Sequence, residues 1–310
     1  MNKLICIAGP TASGKTALAV ELAKSFNGEV VSCDSMQIYK RMDIGTAKPT
    51  REEMQGIPHH MIDICDPEED FSVSKYCEMA TPIVDDILAR GKTAIIAGGT
   101  GLYMDSLIRG NDFAPFPATG HRERLEEKLN EVGLDAMLCE LSAIDPEAAQ
   151  RAQKNPRRVI RALEVYYETG ETITAHNLRT QAIPPRYSPL WLGLDFEPRQ
   201  LLYDRIDLRV GMMLEMGLMD EIKSLLASGI PENCTAMQAI GYKEFVAALA
   251  GCGTIEEAAD QVRQGSRRYA KRQLTWFKRN KEMNWLTRRE GTSAEEILEQ
   301  ARQLILGFDN

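Results

Sequence analysis

The chain has 310 residues, which is enough for one large hydrophobic core or for a core and a smaller second domain. Hydrophobic residues make up 44% and charged residues 26%, as in an ordinary soluble globular protein, and no apolar stretch is long enough to span a membrane. The net charge of −8 argues against nucleic acid as a partner, but ten Lys or Arg and one acidic residue lie between Arg263 and Arg289, and this local field favours polyanion binding.

The N-terminal third alternates between predicted strands and helices. Residues 3–8 form an apolar run that leads into a glycine and suits a buried parallel strand, with no signal-peptide features before it. A helix is predicted over 16–26, where Leu18, Leu22 and Phe26 recur on one face. Further strands are predicted at 29–33, 61–64, 93–97 and 190–196, and a helix at 72–90. We expect a mostly parallel sheet covered by helices, in a cytoplasmic protein whose seven scattered cysteines are reduced.

The middle of the chain has a different character. Residues 119–180 are helical in pattern and charged, and proline-rich connections flank them. We interpret 113–187 as a helical insertion domain in a core formed by 1–112 and 188–310. Helices packed directly on the same core are an equally favoured alternative.

The chain after Glu197 is predicted to be helical to its end. Apolar residues recur every four positions from Leu202 to Leu214, which is typical of a buried helix face. Arg205 and Arg209 are one helical turn apart and form a separate basic face.

One motif carries clear chemistry. It fits the phosphate-loop pattern G-x-x-x-x-G-K-[ST] completely and consists of Gly9, Pro10, Thr11, Ala12, Ser13, Gly14, Lys15 and Thr16. The glycines let the backbone curl so that several N–H groups point inward, and the following helix adds its positive N-terminal end. Lys15 supplies a mobile positive charge, and the Thr16 hydroxyl can ligate a Mg²⁺ that bridges phosphate oxygens. We therefore predict a phosphate-binding site in an α/β fold with a P-loop NTPase-like parallel sheet core.

The ends of the predicted strands differ from those of a typical P-loop NTPase, which has an Asp at the end of a later strand. Here the strand at 93–97 is followed by glycines and Thr100, and the next carboxylate is Asp105. Asp34 follows the second strand instead. Because the carboxyl ends of parallel strands line the ligand crevice, Asp34, Thr100 and the phosphate loop should converge on one site.

An ordered series of motifs extends over almost the whole chain. After the phosphate loop come DSMQ at 34–37, DIGTAKP at 43–49, PHHMID at 58–63, GGTGLY at 98–103, NPRRVIRALE at 155–164 and QAIGYKE at 238–244. In this series the chain resembles the tRNA dimethylallyltransferases, also called tRNA isopentenyltransferases. The phosphate loop alone is widely shared, whereas the ordered set is highly specific. Eukaryotic relatives carry a C-terminal zinc finger, so this chain looks like the shorter bacterial form.

The resemblance implies that the phosphate loop binds the diphosphate of dimethylallyl diphosphate and not ATP. The N6 amine of the adenosine on the 3′ side of the anticodon, in tRNAs that read codons starting with U, would displace the diphosphate and gain the dimethylallyl group. The resemblance assigns Asp34 as the base for the amine proton, Thr100 to the centre of the reaction channel and Arg209 to the diphosphate. Lys15, Mg²⁺ and the loop N–H groups can stabilise the charge that develops on the leaving diphosphate.

The resemblance also implies contacts with the tRNA anticodon stem-loop. The candidate residues are Asp34, Ser35, Met36, Gln37, Thr100, Arg122, Arg157, Arg158, Val159, Ile160 and Arg161. Many family members have Gln where Arg157 stands, and the extra cation should help RNA binding. Residues 267–279 mix basic and aromatic side chains, and we expect the aromatic rings to anchor a helix while the cations reach phosphates. The expected protein is a monomer without a membrane partner.

Two other functions fit parts of the sequence. A small-molecule P-loop kinase with a helical lid would explain the loop and the insertion, but the missing carboxylate after the strand at 93–97 argues against it. An RNA-binding module with a vestigial phosphate loop is disfavoured by the intact Lys15, Thr16 and Asp34. A metal site at His59-His60 is disfavoured because neighbouring side chains on an extended segment point in opposite directions.

Overall fold

The computed structural model describes residues 2–110 and 119–309. Within these ranges, no helix combines the length and the hydropathy that crossing a bilayer requires. The chain divides into two compact units, Met1–Gly110 with Arg186–Asn310 and Asn111–Pro185. The first predicted proline-rich connection, at 113–117, lies outside the described residues.

The larger unit is built on a six-stranded sheet in which every strand pair is parallel. Its strands are β1 Asn2–Ala8, β2 Gly28–Cys33, β3 His59–His60, β4 Thr93–Gly98, β5 Tyr187–Phe196 and β6 Asn284–Arg288. Their spatial order is β3-β2-β4-β1-β5-β6. The central strands are mostly apolar because helices cover both faces, and β2 is buried along its whole length. The predicted α/β fold with a parallel sheet core is confirmed.

The helices alternate with the strands at first and then dominate the chain. They are α1 Lys15–Ser25, α2 Arg51–Met54, α3 Val73–Ala89, α4 Gly101–Arg109, α5 His121–Ile144, α6 Pro146–Ala152, α7 Pro156–Thr169, α8 Ile173–Gln181, α9 Gln200–Glu215, α10 Leu218–Ala227, α11 Lys243–Leu249, α12 Ile255–Phe277 and α13 Ala294–Asp309. Several begin at residues whose side chains cap the helix. Ser72 caps α3, and Thr254 forms a capping box with Glu257 at the start of α12.

Two of the apolar clusters among the described residues of the larger unit bear on the position of the site. One packs α1 and α13 against the sheet through residues such as Leu22, Leu192 and Ile297. The other lies among α10, α11 and α12 and includes Tyr39 and Phe245. Because the second cluster includes Ile38, Tyr39 and Met42, it supports the loop that follows β2.

The smaller unit contains α5 to α8 around its own apolar core. Leu141, Val159 and Leu163 are fully buried there. Asp145 is nearly buried, and its carboxylate accepts hydrogen bonds from the Ala148 N–H and from the N–H and hydroxyl of Thr174. One side chain therefore caps α6 and ties it to α8.

Two predictions of secondary structure are wrong. The strand expected at 61–64 is displaced to His59–His60, and Met61 and Asp63 have φ values of 62° and 55°, which no strand residue adopts. The chain after Glu197 is not helical throughout, because Asn284–Arg288 forms β6 at the sheet edge. Only the central residue of β6, Leu286, is buried, so the segment has a weak hydrophobic signature.

Candidate active site

The phosphate loop connects β1 to α1. Ala12 and Gly14 have φ values of 62° and 90°, and these left-handed conformations curl the backbone into a cup. The Ser13 N–H donates to Pro10 O within the loop at 3.3 Å. The Lys15 ammonium folds over the same turn and donates to Pro10 O at 2.8 Å. The cup, the ammonium and the start of α1 together favour a bound anion.

Lys15 lies among other charged groups. Burial lowers its pKa from the ordinary lysine value to about 8, Asp34 opposes this shift and Arg209 adds to it. Asp34 and Arg209 therefore lie within electrostatic range of the phosphate-loop lysine. Three residues that the sequence assigns to one site are brought together by the larger unit.

Asp34 follows β2 in a tight turn. Its Oδ1 accepts hydrogen bonds from the N–H groups of Met36 at 2.9 Å and Gln37 at 3.4 Å. Its Oδ2 has no hydrogen bond to any part of the chain that the structure describes. The turn thus fixes the carboxylate through one oxygen and leaves the other available to accept a proton.

Thr100 follows β4 and lies beside the Asp34 turn. Its hydroxyl oxygen accepts a hydrogen bond from the Ser35 N–H at 3.0 Å. The ends of β2 and β4 approach so closely that a Cβ atom on Gly98 would lie 1.9 Å from Cys33 O. Only glycine fits this position, and the close approach brings Thr100 next to Asp34.

Tyr269 of α12 completes this corner of the site, a role that the sequence did not indicate. Its hydroxyl lies next to Thr100 and interacts with it. Burial raises the pKa of Tyr269 to about 12, and the charge of Asp34 acts in the same direction. The ring was expected to anchor a helix, but its hydroxyl also reaches the centre of the site.

Gln273, one helical turn further along α12, is a second functional candidate that the sequence did not reveal. Its Oε1 accepts from the Thr11 N–H at 2.9 Å, and its Nε2 donates to Gly99 O at 3.0 Å. The side chain is only 5% exposed. Gln273 therefore connects the phosphate loop to the glycines before Thr100. The one feature of the sequence that could have indicated this role is a lone Gln on an otherwise apolar face of the helix.

The predicted basic face of α9 points to the phosphate loop. Leu202, Ile206 and Val210 are buried, as the apolar spacing predicts. Arg205 Nε donates to Ala12 O at 2.8 Å. The pKa of Arg209 is lowered chiefly by burial and also by Arg205, and Arg209 forms no ion pair with the described residues. An unpaired and partly buried guanidinium at a phosphate loop is suited to an anionic ligand.

The loop after β2 is held by its own polar contacts. Gln37 Oε1 accepts from the Ser32 hydroxyl, and Nε2 donates to Ala47 O at 3.1 Å. Both the oxygen and the nitrogen of the Gln37 amide therefore form hydrogen bonds within the protein.

Glu221 holds the same loop from the other side. Its carboxylate accepts the N–H groups of Asp43, Ile44 and Gly45 and the Tyr242 hydroxyl. A Cβ atom on Gly45 would lie 2.4 Å from the Tyr242 ring, so glycine is required there. These contacts fix the loop that carries Asp34 and Gln37.

The smaller unit carries the remaining arginines. Arg157 and Arg158 are exposed at the start of α7, which Asn155 caps. Arg161 pairs with Glu164, and Arg122 pairs with Glu126 and lies near Glu164.

Val159 and Ile160 differ from these arginines. Their side chains are 0% and 5% exposed and belong to the apolar core of the smaller unit. They support the helix and do not present side chains to a partner.

The predicted metal residue is Thr16, which lies in the first turn of α1. Among the described residues there is no group of three or more His, Cys, Asp or Glu that could hold a metal, and His60 is bonded to Glu29. Mg²⁺ commonly takes one or two protein oxygens and completes its shell with phosphate and water. A single hydroxyl beside a phosphate loop therefore fits a Mg²⁺ that arrives with its ligand.

A family model for IPP transferase matches residues 37–280, which is more than half of the chain. The chain is 46% identical over 308 residues to a tRNA dimethylallyltransferase of Thermoanaerobacter sp. (strain X514), and the match covers 98% of each chain. It is similar to the crystal structure of a tRNA isopentenylpyrophosphate transferase from Bacillus halodurans, with a TM-score of 0.75, 45% identity and coverage of 99% and 96%. It is also similar to a eukaryotic dimethylallyltransferase acting on tRNA, with a TM-score of 0.83, 30% identity and coverage of 97% and 78%.

Proposed function

The chain belongs to the IPP transferase family and is a tRNA dimethylallyltransferase, and we propose how its residues divide the reaction between a donor site and an RNA site. The donor is dimethylallyl diphosphate, and the acceptor is the N6 amine of the adenosine on the 3′ side of the anticodon. The observation that carries the proposal is the placement of Asp34, Thr100 and Lys15 at neighbouring strand ends.

Bond formation requires the adenine amine to act as a nucleophile, although its lone pair is delocalised into the ring. The amine nitrogen attacks the allylic carbon, the bond from that carbon to the diphosphate oxygen breaks, and the amine proton passes to Asp34. The free Oδ2 of Asp34 supports this role, because Oδ1 already accepts two backbone hydrogen bonds. Thr100, whose hydroxyl oxygen accepts a hydrogen bond from the Ser35 N–H of the same turn, orients the reacting groups.

Departure of the diphosphate leaves negative charge at the phosphate loop. Lys15, Arg209 and the inward N–H groups of the loop would stabilise that charge, which develops most fully in the transition state. A Mg²⁺ held by Thr16 would add positive charge at the diphosphate oxygens.

The RNA partner is the tRNA anticodon stem-loop. An enzyme that modifies a base must take it out of the stack, so the target adenosine enters as an unstacked base. The exposed Arg157 and Arg158 are suited to phosphate contacts, and Arg161 and Arg122 can exchange their carboxylate partners for RNA.

The decisive assay combines the protein, Mg²⁺, labelled dimethylallyl diphosphate and unmodified tRNA. Label should enter the RNA, and Asp34→Asn should lower kcat by about 10²–10⁴-fold with donor affinity nearly unchanged, because general-base catalysis contributes about that much. Asp66→Asn is the matched control, since Asp66 is exposed and paired with Lys40. Absence of labelling by the unaltered protein would refute the proposed reaction, and full activity of Asp34→Asn would remove Asp34 as the base.

A further inference from the structure

Arg288 brings an additional guanidinium to the phosphate loop. It is the last residue of β6, and it lies opposite Phe196 of β5 in the sheet register. Its Nη2 would be 3.6 Å from a Cβ atom built on Gly14. Since a bond between carbon atoms of this kind measures about 1.5 Å, Nη2 lies within about 5 Å of the Gly14 Cα at the start of α1.

The guanidinium of Arg288 has no counter-charge in the described part of the chain. Its Nε is buried without a hydrogen-bond partner, and it forms no ion pair there. The neighbouring Arg289 is different, because it is exposed and pairs with Glu197 at 2.9 Å. An unsatisfied buried donor is costly, so its retention beside a phosphate loop points to a ligand that satisfies it.

Other cations surround the same loop. Burial lowers the pKa of Arg288, and the charge of Arg205 lowers it further. Arg205 contacts the loop through Ala12 O, and Arg209 acts on Lys15 from the same helix. Four like charges around one backbone cup repel each other unless a multiply charged anion lies between them.

The sheet order places Arg288 on the opposite side of the phosphate loop from Asp34 and Thr100. Asp34 and Thr100 follow β2 and β4, the phosphate loop follows the central β1, and Arg288 ends β6 beyond β5. The reacting carbon must lie towards Asp34. A diphosphate that extends from that carbon across the loop therefore directs its terminal phosphate towards β6.

We propose that Arg288, supported by Arg205, binds the phosphate of the donor that is farthest from the allylic carbon, and that it sets donor affinity without touching the reacting atoms. This inference rests on the proposed function, because it assumes that the loop binds a diphosphate. Guanidinium is suited to the task, since its planar fork can donate two hydrogen bonds to one phosphate.

The test is calorimetric titration of inorganic diphosphate with Mg²⁺ into the full chain and its variants. Arg288→Gln should weaken diphosphate binding by about tenfold, as expected for a charge-assisted hydrogen bond at a partly exposed site. Arg289→Gln is the matched control for diphosphate affinity and should bind like the unaltered protein. In steady-state assays Arg288→Gln should raise the KM for the donor and leave kcat and the KM for tRNA nearly unchanged.

A purely structural role would give a different result. Because Arg288 is repelled by Arg205 and unpaired, Arg288→Gln should not lower the unfolding temperature, whereas loss of a structural residue would. Equal diphosphate affinity of Arg288→Gln and the unaltered protein would overturn the inference. If Arg288→Gln does not fold, Arg288→Met keeps the packing of the aliphatic stem, and undiminished diphosphate affinity in that variant would overturn it equally. An unaltered protein that transfers no label and binds no diphosphate would refute the proposed donor site itself.

Discussion

Substitution of Gln273 by Ala tests whether the phosphate loop and the Thr100 corner are held as one unit. The variant removes the acceptor of the Thr11 N–H and the donor to Gly99 O. Both backbone groups are then left without a hydrogen-bond partner in the protein, at a place where the Gln273 side chain is 5% exposed. Each unsatisfied buried group costs roughly 1–3 kcal/mol, and the Thr11 bond is only partly buried, so we expect a loss of about 3 kcal/mol of unfolding free energy. The unfolding temperature should fall by roughly 6–12 °C.

Activity should respond to the same change. A displacement of the loop by about 1 Å is enough to lower kcat/KM for dimethylallyl diphosphate by roughly 10–100-fold. Gln273→Glu keeps the acceptor for Thr11 but sets an oxygen against Gly99 O, so it should be destabilised at neutral pH and recover on acidification, when the carboxyl can donate.

Thermal unfolding and donor kinetics measure these effects together. Gln261 lies on the same helix α12 and is exposed, so Gln261→Ala is the matched control and should behave like the unaltered protein. The reasoning fails if Gln273→Ala unfolds at the original temperature and keeps its kcat/KM for the donor.

Three further predictions follow from the site. The affinity for dimethylallyl diphosphate should fall as the pH rises through about 8, because Lys15 then loses its proton in the free protein; a flat profile of donor affinity from about pH 7 to 9.5 would contradict the lowered pKa. Tyr269→Phe should lower kcat by about tenfold with little change in the donor KM, since it removes the hydroxyl that interacts with Thr100, and unaltered single-turnover rates would count against it. Arg157→Gln should weaken tRNA binding and leave donor affinity unchanged. The slope of the logarithm of the tRNA binding constant against the logarithm of salt concentration should decrease by about the amount of one phosphate contact, which filter binding at several salt concentrations measures.

Local rules account for the part of the site that could be predicted. A phosphate loop needs a strand before it and a helix after it, and the carboxyl ends of parallel strands share one edge. These rules predict from the sequence alone that Asp34, Thr100 and Lys15 lie at one site, and in the structure the three residues are close to one another. Their catalytic roles stay predictions.

The contributions of the C-terminal third could not be predicted in the same way. The Gln273 side chain hydrogen-bonds to Thr11, 262 positions earlier. Strand β6 begins at Asn284, far along the chain from the end of the preceding strand, β5, at Phe196. The local sequence of α12 does not specify the partners of Gln273, and the local sequence of β6 does not specify its neighbouring strand. Tertiary packing determines both. The same packing explains why Val159 and Ile160, in a segment rich in arginines, face a core.

The carboxylate of Glu221 has a consequence for anion selectivity. Three successive N–H groups converge on it, which is the geometry of a backbone concavity that attracts free anions. With a tethered carboxylate already seated there, that concavity is closed to soluble phosphates. Soluble anions therefore cannot bind to this loop in competition with the phosphate loop.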